Sequence, residues 1–229
     1  MRKMNLFFVL LIGLAMSPAS SPAAQLQNIT IAYTFKNGDG TVFRIIKYYL
    51  ADNNKFRTEY YSTVEYNINA DAQAMTNDSG VSSGTHAEMK SEPKTDTGPQ
   101  TIEILRKDKR LVWSIDPAFK NYIEVPLKED SWGYALMNIF VDSMGDLKKS
   151  GETKLLDYPC IIWKSEQKEN EDNWTSIFYV AQDINVVLKT EIRQNGKLVQ
   201  TMEATEFKLE KPSESLFEVP GGYKKNENR

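Results

Sequence analysis

From Asn28 onward the chain alternates between apolar and polar positions. In "NITIAYTFK", Ile29, Ile31, Tyr33 and Phe35 share one parity, and Thr30, Thr34 and Lys36 share the other. A period of two sustained over eight residues predicts a half-buried strand. "NGDG", Asn37 to Gly40, predicts a hairpin turn, because Asn, Asp and Gly tolerate positive φ. "TVFRIIKYYLA" is the return strand, Asp52 to Asn54 turns again, and "KFRTEYYSTVEY" is a third strand. The pattern then breaks. Asn67 to Gln100 has no sustained period and is rich in Ser, Thr, Asn, Asp, Gly and Pro. Such a stretch buries too little apolar surface to offset its ordering entropy, which predicts a flexible insertion.

Alternation returns with "TIEILRKDKRLVWSIDPAFKNYIEVPL", which fits three short strands, Thr101–Arg106, Arg110–Ile115 and Lys120–Val125. Further on, "ETKLLD", "CIIWKSEQ", "TSIFYVA", "NVVLKTEIRQ" and "KLVQTMEATEFKL" predict five more. The Asn195-Gly196 pair is a strong hairpin signal. One segment has a different period. In residues 130–146, Ser131, Asn138, Asp142 and Asp146 fall on one narrow stripe, while Trp132, Tyr134, Leu136, Met137, Ile139, Phe140, Val141 and Met144 cover the rest. That predicts a helix capped by Asp130 or Ser131, ended by Gly145, and enclosed on more than one side. Short turns force antiparallel neighbours. The predicted fold is therefore mainly β with one main α-helix. It is a strongly curved antiparallel sheet, or incomplete β-barrel, of about eleven strands wrapped over the apolar helix. A sandwich with the helix at one end is the alternative.

The N-terminus changes the picture of where the chain works. Arg2 and Lys3 precede an unbroken apolar run, Leu6 to Met16, and then "SPASSPAAQ". This is the pattern of a cleaved secretory signal peptide, with cleavage expected after Ala23 or Ala24. Eleven helical residues reach about 16 Å, half of a bilayer core of about 30 Å, so the run is too short to span. No cysteine lies near that point, so no lipid anchor is expected there. Residues 1–24 are thus read as signal peptide and 25–229 as one domain with the insertion at about 67–100. The expected location is periplasmic or otherwise extracytoplasmic, and not integral to a membrane.

Charge and composition mainly exclude. Without Arg2 and Lys3, 26 basic residues face 31 acidic ones, a net charge of −5, which gives no reason to expect nucleic acid. Cys160 is the sole cysteine, so no internal disulfide forms, and a buried, apolar role is expected for it. Ser–His and Cys–His catalysis need a histidine, and the sole one, His86, lies in the polar insertion. Zinc sites need clustered His and Cys, and no phosphate-cradling glycine motif is present. Acids such as Glu152, Glu166, Glu191 and Glu203 sit on alternating strands, where a solvated face is their ordinary role. No catalytic residue, cofactor or metal is predicted. The concave side of a curled sheet closed by a helix is instead a common ligand site. The residues that would line it are Trp132, Leu136, Phe140 and Met144 from the helix, with Tyr33, Phe35, Trp113, Trp163 and Phe178, alongside Ile31 and Val187, from strands.

Several stretches carry a resemblance. "VWSIDPAFKNYIEVPL" is similar to a strand, a D-P turn and a Tyr-bearing strand before a helix. "GETKLLDYPCIIWKSE" is similar to a Gly-Tyr-Cys segment, with Asp157 where Gly is usual. "IFYVAQDINVVLKTEI" and the closing "FKLEKPSESLFEVPGGYKK" complete the likeness. Over Asn28–Ser62 and Thr101–Lys225 the chain resembles a family of bacterial envelope proteins in the outer-membrane lipoprotein carrier-like (LolA/LolB-like) superfamily. That resemblance implies an unclosed barrel with helices in its concavity and a role in carrying acyl chains or lipoproteins. The expected function is a non-catalytic exported protein that binds a lipid-like ligand or lipoprotein acyl chain in the concave face. The alternative is an envelope scaffold or protein-interaction module with a filled core. The ending "SLFEVPGGYKK" is expected to be a staple, with Leu216 and Phe217 plugging one end of the sheet.

Overall fold

The computed structural model describes residues 28–62, 98–137, 139–140 and 147–227. The expected signal peptide, His86, Met144 and nearly all of the expected 67–100 insertion lie outside these. Strands β1 (Asn28–Asn37), β2 (Val42–Ala51) and β3 (Lys55–Ser62) are followed by β4 (Thr101–Arg106), β5 (Leu111–Asp116) and β6 (Asn121–Pro126). Helix α1 (Ser131–Met137) leads to β7 (Lys148–Leu155), β8 (Tyr158–Glu169), β9 (Asp172–Ala181), β10 (Val186–Gln194) and β11 (Lys197–Lys208). A 3-10 turn (Glu214–Phe217) and β12 (Lys224–Lys225) close the chain. All twelve strands form one open sheet in the order β12-β6-β5-β4-β3-β2-β1-β11-β10-β9-β8-β7.

Two expectations need correction. Among the described residues the strands number twelve rather than about eleven, and the sheet is mixed, because the two-residue β12 pairs parallel with β6. The periodicity-based reading missed β12 because "YKK" has no alternation to detect. The helix expected over 130–146 is, in its described part, only seven residues long. By Phe140 the backbone has left the helix and forms an antiparallel bridge to Val186, while the Val187 N–H donates to Ile139 O at 2.9 Å. A strand end with free pairing groups thus takes over from the helical ladder. Gly133 inside the segment, and β-branched Ile139 after it, weaken the helix.

The turns follow their sequences. Asn195 and Gly196 both take positive φ (50° and 81°), as the favoured hairpin turn requires. Gly38 is needed for space: a Cβ there would meet the Leu198 carbonyl oxygen at 2.1 Å.

Each sheet face carries its own core. On the inner face, the one that bears α1, the buried residues include Ile29, Ile31, Tyr33, Tyr48, Leu50, Phe56, Leu105, Cys160, Val186, Leu188 and Ala204, with Trp132, Ile139 and Phe140 over them. Burial pushes the Cys160 thiol pKa up, in keeping with an inert apolar role. On the outer face, Tyr49, Ala51, Ile102, Ile104, Trp113 and Ile115 pack against Phe217 of the closing segment. That segment crosses the outer face of β3 to β5, so it staples a face rather than plugging an end. Arg57 Nη1 donates to the Leu216 carbonyl and Arg106 Nη1 to that of Phe217, each at 2.9 Å.

Candidate functional site

The inner face of β2 to β6 is built in rows, because directly paired residues in an antiparallel sheet point the same way. One row is apolar: Leu50, Phe56, Leu105, Val112 and Val125. The next is mostly polar: Tyr48, Thr58, Glu103, Ser114 and Ile123. A third begins Ile46, Tyr60, Thr101. Trp132 of α1 stands edge-on to Phe56 at 6.4 Å between ring centroids, and Phe56 stacks on Tyr48 at 5.7 Å.

Between these rows and the start of α1 lies a groove of about 460 Å³. Phe56, Leu105, Val112 and Val125 give it an apolar floor, Tyr48, Thr58, Tyr60 and Glu103 a polar side, and Lys128, Ser131 and Ala135 the opposite wall. The Tyr60 hydroxyl donates to Glu103 Oε2 at 3.3 Å. Burial, reinforced by the Glu103 charge, pushes the Tyr60 pKa up to about 12. Burial, then the neighbouring Tyr60, raises that of Tyr48 as well. Both phenols therefore stay protonated and act as neutral donors. Among the described residues no three His, Cys, Asp or Glu side chains gather as metal ligands.

None of the described residues nominated from sequence lines this groove. Tyr33 is fully buried, its hydroxyl donating to the Val187 carbonyl at 2.5 Å. Trp132 and Phe140 are buried and Leu136 is half-buried against the same core. Phe35, Phe178 and Trp163 are half-buried on the inner face, in one row with Met202 and Thr190 farther along the sheet. Trp113 is on the outer face, where its indole N–H donates to Glu124 at 2.9 Å. Its parity within β5 differs from that of Val112, which the groove uses. Met144 lies outside the described residues. Sequence reasoning missed Tyr48, Tyr60 and Glu103. The available signal was "TIEIL", a single acid inside an otherwise apolar strand.

No family model and no curated protein matches the chain. Solved structures resemble it at low identity. A conserved protein from Thermus thermophilus aligns with a TM-score of 0.45 and 13% identity, over 88% of this chain and 91% of that one. MucB of Pseudomonas aeruginosa, in its complex with MucA, aligns with a TM-score of 0.48 and 9% identity, over 86% and 57%. A Bacteroides fragilis protein described as exported, with a YmcC-like fold, aligns with a TM-score of 0.36 and 11% identity, over 80% and 96%. The chain thus spans just over half of MucB, and likenesses this weak transfer no function. No helix among the described residues is long and apolar enough to cross a membrane.

Proposed function

We propose that this protein is a non-catalytic binder of a lipid-like molecule, held in the groove between α1 and the inner face of β2 to β6. The observation that carries this reading is the groove itself. Its volume, about 460 Å³, falls within the range of about 300–1,000 Å³ typical of small-molecule sites, and its floor is apolar with a few polar groups at one side. An alkyl or acyl chain lying along Phe56, Leu105, Val112 and Val125 would remove apolar surface from water on both partners. The resemblance to lipoprotein carriers supports a lipid-like molecule or the acyl chain of a lipoprotein as occupant. The signal-like N-terminus supports work outside the cytoplasm. Half-buried Tyr and Glu at the groove's side suit orientation of a ligand rather than turnover.

A second reading, an envelope scaffold with a filled core, is favoured by one observation: Tyr33 and Phe140, both nominated as cavity residues, are packed solid. Organic extraction of the protein purified from its native host, followed by mass spectrometry, separates the two. An alkyl- or acyl-chain species in near-stoichiometric amount is expected. Empty protein that also fails to take up a fluorescent acyl probe would overturn ligand binding and leave the scaffold.

A further inference from the structure

The groove's polar side narrows what its ligand must be. Glu103 sits mid-strand on β4, between Thr58 and Ser114 on the neighbouring strands, and faces the groove. It is half-buried, and a carboxylate removed from water needs hydrogen-bond donors. Other glutamates in this protein have them. Glu59, buried on the outer face, receives Arg57 at 2.6 Å, Tyr61 at 2.6 Å and Tyr49 at 3.2 Å. Glu191 receives Arg193 at 2.8 Å, Lys189 at 3.1 Å and Tyr179 at 3.2 Å. Every other buried or half-buried glutamate among the described residues has a Lys or Arg nitrogen within 4 Å, and Glu103 does not. Among the described residues it holds a single hydrogen bond, from Tyr60, on Oε2. An ionised carboxylate offers about four acceptor positions, so most of its capacity is open to the groove.

We infer that the ligand is an amphiphile whose polar end donates a hydrogen bond, an alkyl chain ending in a hydroxyl or an ammonium, and that Glu103 receives it. This rests on the groove being a ligand site, as proposed above. The chain would lie on the apolar row and its head on the adjacent polar row. The two rows are two residues apart along each strand, so a single short molecule spans both. The rings of Tyr48 and Tyr60 flank the position and suit a cationic head further, since aromatic faces attract ammonium groups. An anionic head would instead have to turn away from Glu103, toward Lys128, the exposed cation on the opposite wall, or toward Arg44, whose charge reaches Tyr48 and Tyr60.

Calorimetric titration with three ten-carbon probes below their micellar concentrations, decan-1-ol, decylamine and decanoate, tests this at pH 7. The alcohol and the amine should each bind about tenfold or more tightly than the carboxylate, the scale of one charge-assisted hydrogen bond gained against one repulsion. In Glu103→Gln, which keeps the shape and loses the charge, the amine should weaken about tenfold and decanoate should strengthen. Thermal melting of the variant establishes that it is folded. Decanoate binding as tightly as the amine to the wild type, or an unchanged order in Glu103→Gln, overturns the assignment of Glu103 while leaving the groove as a lipid site. Loss of decanoate binding in Lys128→Ser, where decanoate had been the preferred probe, would put the head at Lys128 and also overturn it. Failure of all three probes removes this inference and the groove's proposed function together.

Discussion

The two faces of strands β2 to β5 are made by alternate residues of the same chain, yet they are finished in opposite ways. On the outer face the closing segment lays Phe217 into Ile102, Ile104, Trp113 and Ile115, with no exposure of its ring. Every buried charge there is answered: Arg57 by Glu59 and the Leu216 carbonyl, and Arg106 by Asp108, Glu218 and the Phe217 carbonyl. On the inner face the covering element is α1, two turns long, which leaves a groove and a carboxylate with one neutral partner. The difference separates architecture from function within one layer. A face closed by its own chain with matched charges serves stability. A face left partly open, with a carboxylate that no described cation answers, is the one to which the proposed binding is assigned.

The comparison breaks most decisively at Phe217. Phe217→Ala should cost about 3–5 kcal/mol of stability, the range for truncating a fully buried aromatic, measured as a lowered denaturant midpoint at constant slope. Ligand affinity of the remaining folded protein should be unchanged, and a coupled loss would show that the two faces are not independent. Arg106→Met comes next, at about 2 kcal/mol. It leaves the Phe217 carbonyl without its donor, although Asp108 and Glu218 are exposed enough to regain water. Melting measurements that placed this variant level with wild type would mean that the strap is held by Phe217 alone.

Much of the strand architecture was legible in sequence and the groove on the inner face was not. The alternation in "NITIAYTFK" placed Ile29, Ile31, Tyr33 and Phe35 on one face, and the structure keeps all four on the inner face. Thr101–Arg106 was bounded correctly because Lys107 to Lys109 is a strong polar break. The helix was overread because a run apolar on nearly every side satisfies a helical period and an extended pairing alike. The choice was made by a distant strand end at Val186 and Val187, which local pattern cannot reveal. The site was missed for a related reason. Alternation alone sets Trp113 and Val112 on opposite faces of β5, but only the register shows that Val112, paired with Leu105, is the one on the inner face. Glu103 looked like any strand acid until β3 and β5 were set on either side of it.

Sharpening the comparison from the inner side calls for a change that fills the groove without touching the outer core. Ala135→Phe places a ring from α1 into open space facing the apolar row. Binding of a decyl probe should fall about tenfold or more, with stability shifting by less than about 1 kcal/mol, because the added atoms meet a groove rather than a packed interior. A large drop in melting temperature would show that the space is not available to a ligand.

The smallest expected effect is a pH dependence confined to the outer strap. The Arg106 hydrogen bonds hold the Asp108 carboxyl below its ordinary range. For Glu218, burial pushes upward, but the hydrogen bonds from Arg106 and Lys109 prevail and its pKa is lowered as well. Lys55 and Lys211 lower that of Glu214. Carboxyls with lowered folded-state values contribute their stabilisation fully above the unfolded values of about 4 and lose it as pH falls through the folded ones. Because these acids are largely solvent-facing, water screens the pairs and the effect on overall stability should be small. Hydrogen-exchange protection of residues 214–225, corrected for intrinsic rates, should therefore decline between about pH 4.5 and 3 while that of β1 to β3 holds. Glu218→Gln should remove part of the slope. Protection that stays level down to about pH 3 would mean that Phe217 burial, not charge pairing, keeps the strap in place. The matched charges of the outer face would then serve to make burial of Arg57 and Arg106 tolerable rather than to fasten the segment.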